Sequence, residues 1–326
     1  MAERGDDPGG GDGDHRAHRH PDTVEAAVAA LRAGRLVLLP TETVYGLAAD
    51  ASNPTAVASI FEAKGRPRFN PLIAHVVDLA AAERLAAFDD RARALAAAFW
   101  PGPLTIVVPV RPDGPVCDLA RAGLDTVAVR APAHPLAQEI LRAFGGPVVA
   151  PSANRSGRPS PTPFADAVAE TGASAAAALD GGPCAVGLES TVVSVLGGPV
   201  RLLRPGAVTR GELEAVVGPL AEAEADARRS PGRLTRHYAP AAPVRLGATA
   251  PRPGEAFLAF GPAPAGDRVL NLSPSGDLRE AAANLFAMLR AADALKPAAI
   301  AVAPIPEGGL GEAINDRLRR AAGHVG

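Results

Sequence analysis

Residues Arg35 to Leu47 read RLVLLPTETVYGL. Arg35 to Pro40 is a continuous apolar run ended by proline, the pattern of a strand covered on both faces. Before it, Val24, Ala27, Val28 and Leu31 share one face of a helix predicted over Asp22 to Ala33, and Gly34 stops that helix. After it the chain opens into PTETVYGL. Asn53 and Pro54 then form an N-cap and first-turn pair for a helix through Ala63, which delivers Lys64, Gly65, Arg66 and Pro67 to its C-terminal loop.

Further strands are predicted at Leu72 to Val77, Leu104 to Val110, Thr126 to Ala131, Pro147 to Ala150, Thr191 to Leu196 and Val200 to Leu203. Helices are predicted around Asp89 to Phe99, Pro135 to Phe144, Pro163 to Thr171 and Thr209 to Val217. Many short strands with intermittent helices imply an α/β fold built on one twisted, mixed sheet rather than a regular βαβ repeat. At 326 residues the chain suits two domains. The division predicted is a polar leader at 1–21, a catalytic domain at 22–218, a linker at 219–242 and a small C-terminal α/β domain at 243–326. In that last unit, strands at Ala256 to Phe260, Val269 to Leu272 and Ala298 to Val302 alternate with helices at Leu278 to Ala292 and Gly311 to Ala322, which implies parallel pairing.

Composition excludes several classes. No apolar run approaches the length of about 20 residues needed to cross a bilayer, so no membrane segment is expected. Two cysteines, Cys117 and Cys184, with no CxxC pair, indicate neither a disulfide framework nor a structural zinc site and point to a reducing compartment, the cytoplasm. A net charge of −2 argues against a broad nucleic-acid surface and leaves room only for a local anion site. His15, His18 and His20 lie in the leader, where a solvated polar tail accounts for them. Among 33 basic residues only Lys64 and Lys296 are lysines, which singles out Lys64 where a compact ammonium is useful.

Motifs for familiar nucleotide loops, zinc proteases, nucleophile elbows and paired glycosidase carboxylates are missing. The remaining candidates are cationic or hydroxylic and borne by loops. Lys64, Arg66, Arg68 and Asn70 follow a helix, an arrangement that a solvated helix C-terminus explains equally well. PSANRSGRPSPT, from Pro151, offers Ser152, Asn154, Ser156 and Ser160 to a polyphosphate, although a plain Ser/Pro loop has the same composition. Ser190, Thr191 and Arg204 fall at strand ends. His75 and Arg130 lie inside apolar strands, where the histidine suits a hydrogen-bonded core and the arginine needs a partner such as a carboxylate ligand.

The order PTETVYGL, KGRPRFNPLIAHV, WPGPLT, TVAVRAP, APSANRSGRPSPT, GLESTVV and LLRPG strongly resembles the YrdC-like threonylcarbamoyl-AMP synthase family. HYAP at His237 to Pro240 and the small unit after it resemble the family's two-domain members, so the match runs from Thr23 to Val325. The resemblance implies a YrdC-like mixed sheet with a smaller Rossmann-like C-terminal domain. It implies formation of threonylcarbamoyl-AMP and pyrophosphate from L-threonine, bicarbonate and ATP, for threonylcarbamoyladenosine modification of tRNA. By matching motif, Lys64, Arg66, Asn70, Thr126, Ser152, Asn154, Ser160, Arg204 and Tyr238 form the ATP group, with Lys64 and Arg66 catalytic. Thr43, His75, Arg130 and Ser190 form the threonine group. No protein metal ligand is expected, Mg2+ being held mainly by the phosphates. The product passes to a tRNA threonylcarbamoyl transferase complex, with weak tRNA contact at most. Ser230 to Pro240 is expected to be a lid with Tyr238 closing over nucleotide. In the linker Arg233 and Leu234 depart from the methionine and basic residue that relatives carry there.

Two alternatives share the fold. A noncatalytic tRNA- or RNA-binding module lacks a reason to keep Lys64, Arg66, Ser152 and Asn154 together. A carbamoyltransferase of hydrogenase maturation carries zinc-finger cysteines, and this chain has no CxxC.

Overall fold

A computed structural model describes residues 21–222 and 237–323. Most of the expected lid therefore lies outside the described residues, as do His15, His18 and His20. In chain order the first part holds α1 (Val24–Arg32), β1 (Leu36–Leu39), β2 (Gly46–Asp50), α2 (Pro54–Lys64), β3 (Ile73–His75), α3 (Leu79–Glu83), α4 (Asp90–Phe99), β4 (Leu104–Pro109) and β5 (Thr126–Arg130). It continues with α5 (Pro135–Phe144), β6 (Val148–Val149), α6 (Phe164–Thr171), β7 (Ala175–Ala178), β8 (Thr191–Ser194), β9 (Arg201–Arg204), α7 (Arg210–Val217) and β10 (Ala221–Glu222).

These strands make one mixed sheet in the order β10-β9-β8-β4-β5-β3-β6-β2-β1-β7. Every residue of β1 is buried, as its unbroken apolar run requires. The register gathers the polar motifs. Parallel pairing of β3 with β5 sets His75 opposite Arg130, antiparallel pairing of β8 with β9 sets Val192 opposite Arg204, and a bridge joins Gly46 to Ser152. Helix α2 follows its sequence signals: the Asn53 side chain accepts from Thr55 and Ala56 N–H groups, Pro54 opens the first turn, and Gly65 closes the helix at φ 58°. A side chain at Gly65 would disfavour that left-handed turn and swing Arg66 away from the sheet.

The second part holds β11 (Val244–Arg245), β12 (Ala256–Ala259), β13 (Val269–Asn271), α8 (Leu278–Ala294), β14 (Ile300–Val302) and α9 (Leu310–Ala321). Its strands are parallel in the order β11-β14-β12-β13, as the alternation of strands and helices implies. The two parts share a core, because Val44 and Leu188 from the first pack with Tyr238, Leu258 and Phe286 of the second. Burying side chains of that size stabilises the contact by about 1.5–3 kcal/mol each. At Gly187, φ 73°, a Cβ would lie 2.4 Å from Ala283 Cα, so only glycine lets the Gly187–Glu189 loop approach α8 this closely.

Sequence reading misses β2, β7, β10, β11 and the short helix α3. Ala175–Ala178 is four alanines, a weak strand former, and it is extended because β1 pairs with it in parallel. Ala221–Glu222 pairs with Arg201 and Leu202, so the larger sheet runs past position 218.

Candidate active site

One cavity of about 50 Å³ lies between the sheet ends and the C-terminal domain. Thr43, Arg66, His75, Arg130, Ser152, Ser190, Arg204 and Tyr238 line it. A larger cleft of about 560 Å³, with Arg84 and Arg142 on its wall, contains none of the residues nominated from sequence.

At one end, the buried Arg130 guanidinium donates to Thr43 Oγ1 at 2.8 Å, to Glu42 Oε1 at 2.5 Å and to the Gly102 carbonyl at 3.2 Å. Burial alone would raise the Glu42 pKa, but the Arg130 charge and hydrogen bond outweigh it and hold the carboxyl below its ordinary range. Beside it, burial and then the Arg130 charge depress His75 to about 3, so its ring is neutral; its Nδ1 lies 3.1 Å from the Ile73 carbonyl oxygen. Ser190 Oγ is 2.7 Å from Thr105 Oγ1.

At the other end, Arg204 donates to the Ser190 carbonyl at 2.9 and 3.1 Å and to Ser190 Oγ at 3.2 Å. Arg66 reaches the Pro71 carbonyl at 3.2 Å, and burial lowers its pKa to about 10. Lys64 lies behind this surface. Its ammonium donates to the carbonyls of Ser152 and Asn154, and burial followed by the Arg66 charge holds its pKa well below the ordinary value. Asn154 bridges its own loop by donating to the carbonyls of Arg155 at 2.7 Å and Arg158 at 2.9 Å. Ser160 donates to Glu189. Asn70 is buried in the turn after Arg66, its N–H on the Pro67 carbonyl at 3.2 Å. Thr126 starts β5, at the far end from Arg130. Lys64, Asn70, Thr126, Asn154 and Ser160 thus do not line the cavity.

Tyr238 also lines the cavity. Its backbone sits at φ 60°, a conformation that bulky side chains rarely adopt and that tends to persist at functional sites. Its ring packs 5.4 Å from the Phe286 ring, with the Arg317 guanidinium 5.4 Å from its centroid. The Tyr238 hydroxyl and His237 Nδ1 are buried with no hydrogen-bond partner among the described residues. Burial also depresses His237 to about 3.

Sequence reasoning passed over Glu42, Glu189 and Arg317. Glu189 lines the cavity and pairs with Arg317 at 2.9 Å across 128 residues of chain. One signal was available: Arg317 falls on the apolar stripe Ala313, Ile314, Leu318 and Ala321 of α9, where a cation demands a partner.

Cations and hydroxyls from several segments of an α/β fold, gathered beside the Tyr238 ring, have the lining of a small-molecule site. Residues 29–206 match the Sua5, YciO and YrdC family model, described as telomere recombination, and residues 208–323 match that of the threonylcarbamoyl-AMP synthase C-terminal domain. The chain is 39% identical to the threonylcarbamoyl-AMP synthase of Bacillus subtilis, covering 95% of each, and 39% identical to that of Pyrococcus abyssi, covering 92% of this chain and 94% of the relative. The crystal structure of P. abyssi Sua5 complexed with L-threonine superposes with a TM-score of 0.86 at 38% identity, over 92% of this chain and 94% of that one. The chain belongs to the threonylcarbamoyl-AMP synthase family.

Proposed function

We propose that this enzyme is a nucleotidyltransferase that makes threonylcarbamoyl-AMP and pyrophosphate from L-threonine, bicarbonate and ATP. The supporting observation is that Arg66, Arg130 and Arg204, from three separate segments, meet at one cavity with Thr43, His75 and Ser190. Three anionic partners must be brought together, and cations fixed in a shielded site stabilise their charge without reorganisation. The threonine amine takes up carbon dioxide as a carbamate, a carbamate oxygen attacks the α-phosphorus, and pyrophosphate leaves.

In this reading Arg130, Thr43, His75 and Ser190 hold threonine. Arg66, Arg204 and Ser152 face ATP, supported by Asn70, Thr126, Asn154 and Ser160. Lys64 serves the ATP side through Ser152 and Asn154, whose carbonyls it holds. Mg2+ is carried chiefly by the phosphates, which fits a cavity whose lining carboxylate, Glu189, is paired with Arg317, as Glu42 beside the cavity is with Arg130.

Tyr238 acts as a lid together with His237 beside it. A cavity of about 50 Å³ holds a few waters, so admitting a nucleotide requires its walls, among them Tyr238 and His237, to open. Closure then shields a mixed anhydride from water. The product goes, in the cytoplasm, to a tRNA threonylcarbamoyl transferase complex. The test is to mix protein, ATP, magnesium, threonine and labelled bicarbonate. Label in an adenylate, with threonine-dependent pyrophosphate release, is expected; a protein that releases no pyrophosphate under these conditions does not have this function.

A further inference from the structure

We propose that Arg317 is a positioning residue of the ATP side, acting through Glu189, so that docking of the C-terminal domain sets the charge of the catalytic cavity. The proposal rests on the ATP-side reading above.

Arg317 belongs to α9 of the C-terminal domain and has no exposed surface. Its Nε donates to Glu189 Oε2 at 2.9 Å, and its Nη1 donates to the Pro205 carbonyl at 3.0 Å and to Asp316 at 2.7 Å. Glu189 belongs to the catalytic part and lines the cavity, where its other oxygen accepts from Ser160. Burial would raise the Glu189 pKa, yet the Arg317 and Arg204 charges and the Ser160 hydroxyl hold it below the ordinary value, so the group is a carboxylate.

A carboxylate on the wall of a polyphosphate cavity repels its ligand unless a cation compensates it, and in a shielded site that repulsion is large. Arg317 supplies the compensating charge from the other domain. In the same pose it stacks against Tyr238, and the carboxylate it holds fixes Ser160. A second contact runs alongside. Arg290 of α8 pairs with Glu170 at 2.9 Å and donates to the Pro159 carbonyl, while Glu170 also accepts from the Arg155 N–H at 2.9 Å. Both contacts tie the loop from Ser152 to Ser160 to the C-terminal domain. Undocking that domain would take the Arg317 charge from Glu189, leaving its compensation to Arg204, and would leave the loop unsupported, and so couples domain position to nucleotide affinity.

Threonine-dependent pyrophosphate release, measured against ATP and threonine in turn, tests this. Removing one member of a buried ion pair strands the other charge, so Arg317→Gln is expected to raise the KM for ATP about tenfold or more and to change the KM for threonine by less than about twofold. Combining it with Glu189→Gln removes the stranded anion. Added to the Glu189→Gln background, Arg317→Gln is expected to shift the ATP KM by less than about twofold, because the cavity-lining anion it compensates is then gone, while Asp316, its other partner, lies outside the cavity lining and keeps Arg320. An unchanged ATP KM in the single variant overturns the proposal, as does an equal rise for both substrates or an undiminished effect in the Glu189→Gln background. Should Arg317→Gln not fold, the double variant, which buries no lone charge, is compared with Glu189→Gln alone, and a large difference in ATP KM overturns the proposal. A wild-type protein that releases no pyrophosphate instead negates the reaction itself, so the two failures are distinguishable.

Discussion

Arg130 and Glu42, 2.5 Å apart at one end of the cavity, form an ion pair in which both side chains are largely shielded from water. The guanidinium also holds Thr43, so this end of the site is set before any substrate arrives. Arg130→Ala is expected to raise the threonine requirement on the order of 100-fold while moving the ATP requirement only a few-fold, because it deletes the cation that lines the cavity and leaves the buried Glu42 without its partner. Steady-state kinetics with each substrate varied in turn check this. Equal effects on both would show that Arg130 has a structural role or serves the nucleotide.

Lys64 and Arg66 should behave differently from each other, although the sequence places them in one basic cluster. Arg66 lines the cavity, and Arg66→Ala is expected to lower turnover on the order of 100-fold with little change in melting temperature. Lys64 does not line it. Its ammonium is held by the Ser152 and Asn154 carbonyls. Lys64→Ala strands two buried acceptors at a cost of about 1–3 kcal/mol each, so activity and melting temperature should both fall. Thermal melts of the two variants beside their turnover decide the matter; a Lys64→Ala protein as stable as wild type would contradict it.

What the sequence made legible follows periodicity and local chemistry. The unbroken run at Leu36–Leu39, the Asn53 cap and the strand-borne His75 and Arg130 are all local signals, and each appears where those signals put it. The pairings Arg130 with Glu42 and Arg317 with Glu189 were not legible, because each joins residues 88 or 128 positions apart and arises only when the sheet and second domain assemble. The strand at Ala175–Ala178 was hidden for the same reason, since its conformation is imposed by β1 rather than by alanine.

Buried neutral histidines make stability depend on pH. Unfolded, an imidazole titrates near pH 6.5, give or take about a unit, whereas His75 and His237 are held at about 3. Between those values the unfolded chain binds more protons than the folded one. Stability from this source is complete above about pH 6.5 and is lost as pH falls toward 3, with a slope of about 1.4 kcal/mol per pH unit for each histidine. Denaturant midpoints at pH 7, 6 and 5 should fall accordingly, and His75→Asn should flatten the slope by about one proton. A slope identical in wild type and His75→Asn would show that His75 does not contribute.

Tyr238 carries two roles that one substitution confounds. The ring is buried among Val44, Leu188 and Phe286, and emptying such a site costs about 3–5 kcal/mol. Tyr238→Ala should therefore lower both the melting temperature and ATP affinity, and it cannot separate lid from core. Tyr238→Phe can. It keeps the packed ring and the contact with Arg317 and deletes only a hydroxyl that has no partner among the described residues. Removing an unsatisfied buried hydroxyl should leave stability unchanged or slightly raised, because the group's desolvation cost disappears with it. If the hydroxyl meets the nucleotide when the lid closes, the same variant should weaken ATP binding about fivefold to tenfold, the worth of one hydrogen bond of about 1–1.4 kcal/mol. Calorimetric titration with ATP beside a thermal melt reads both quantities. Unaltered ATP affinity in Tyr238→Phe would leave the ring as the element that covers the cavity and remove the hydroxyl from the site.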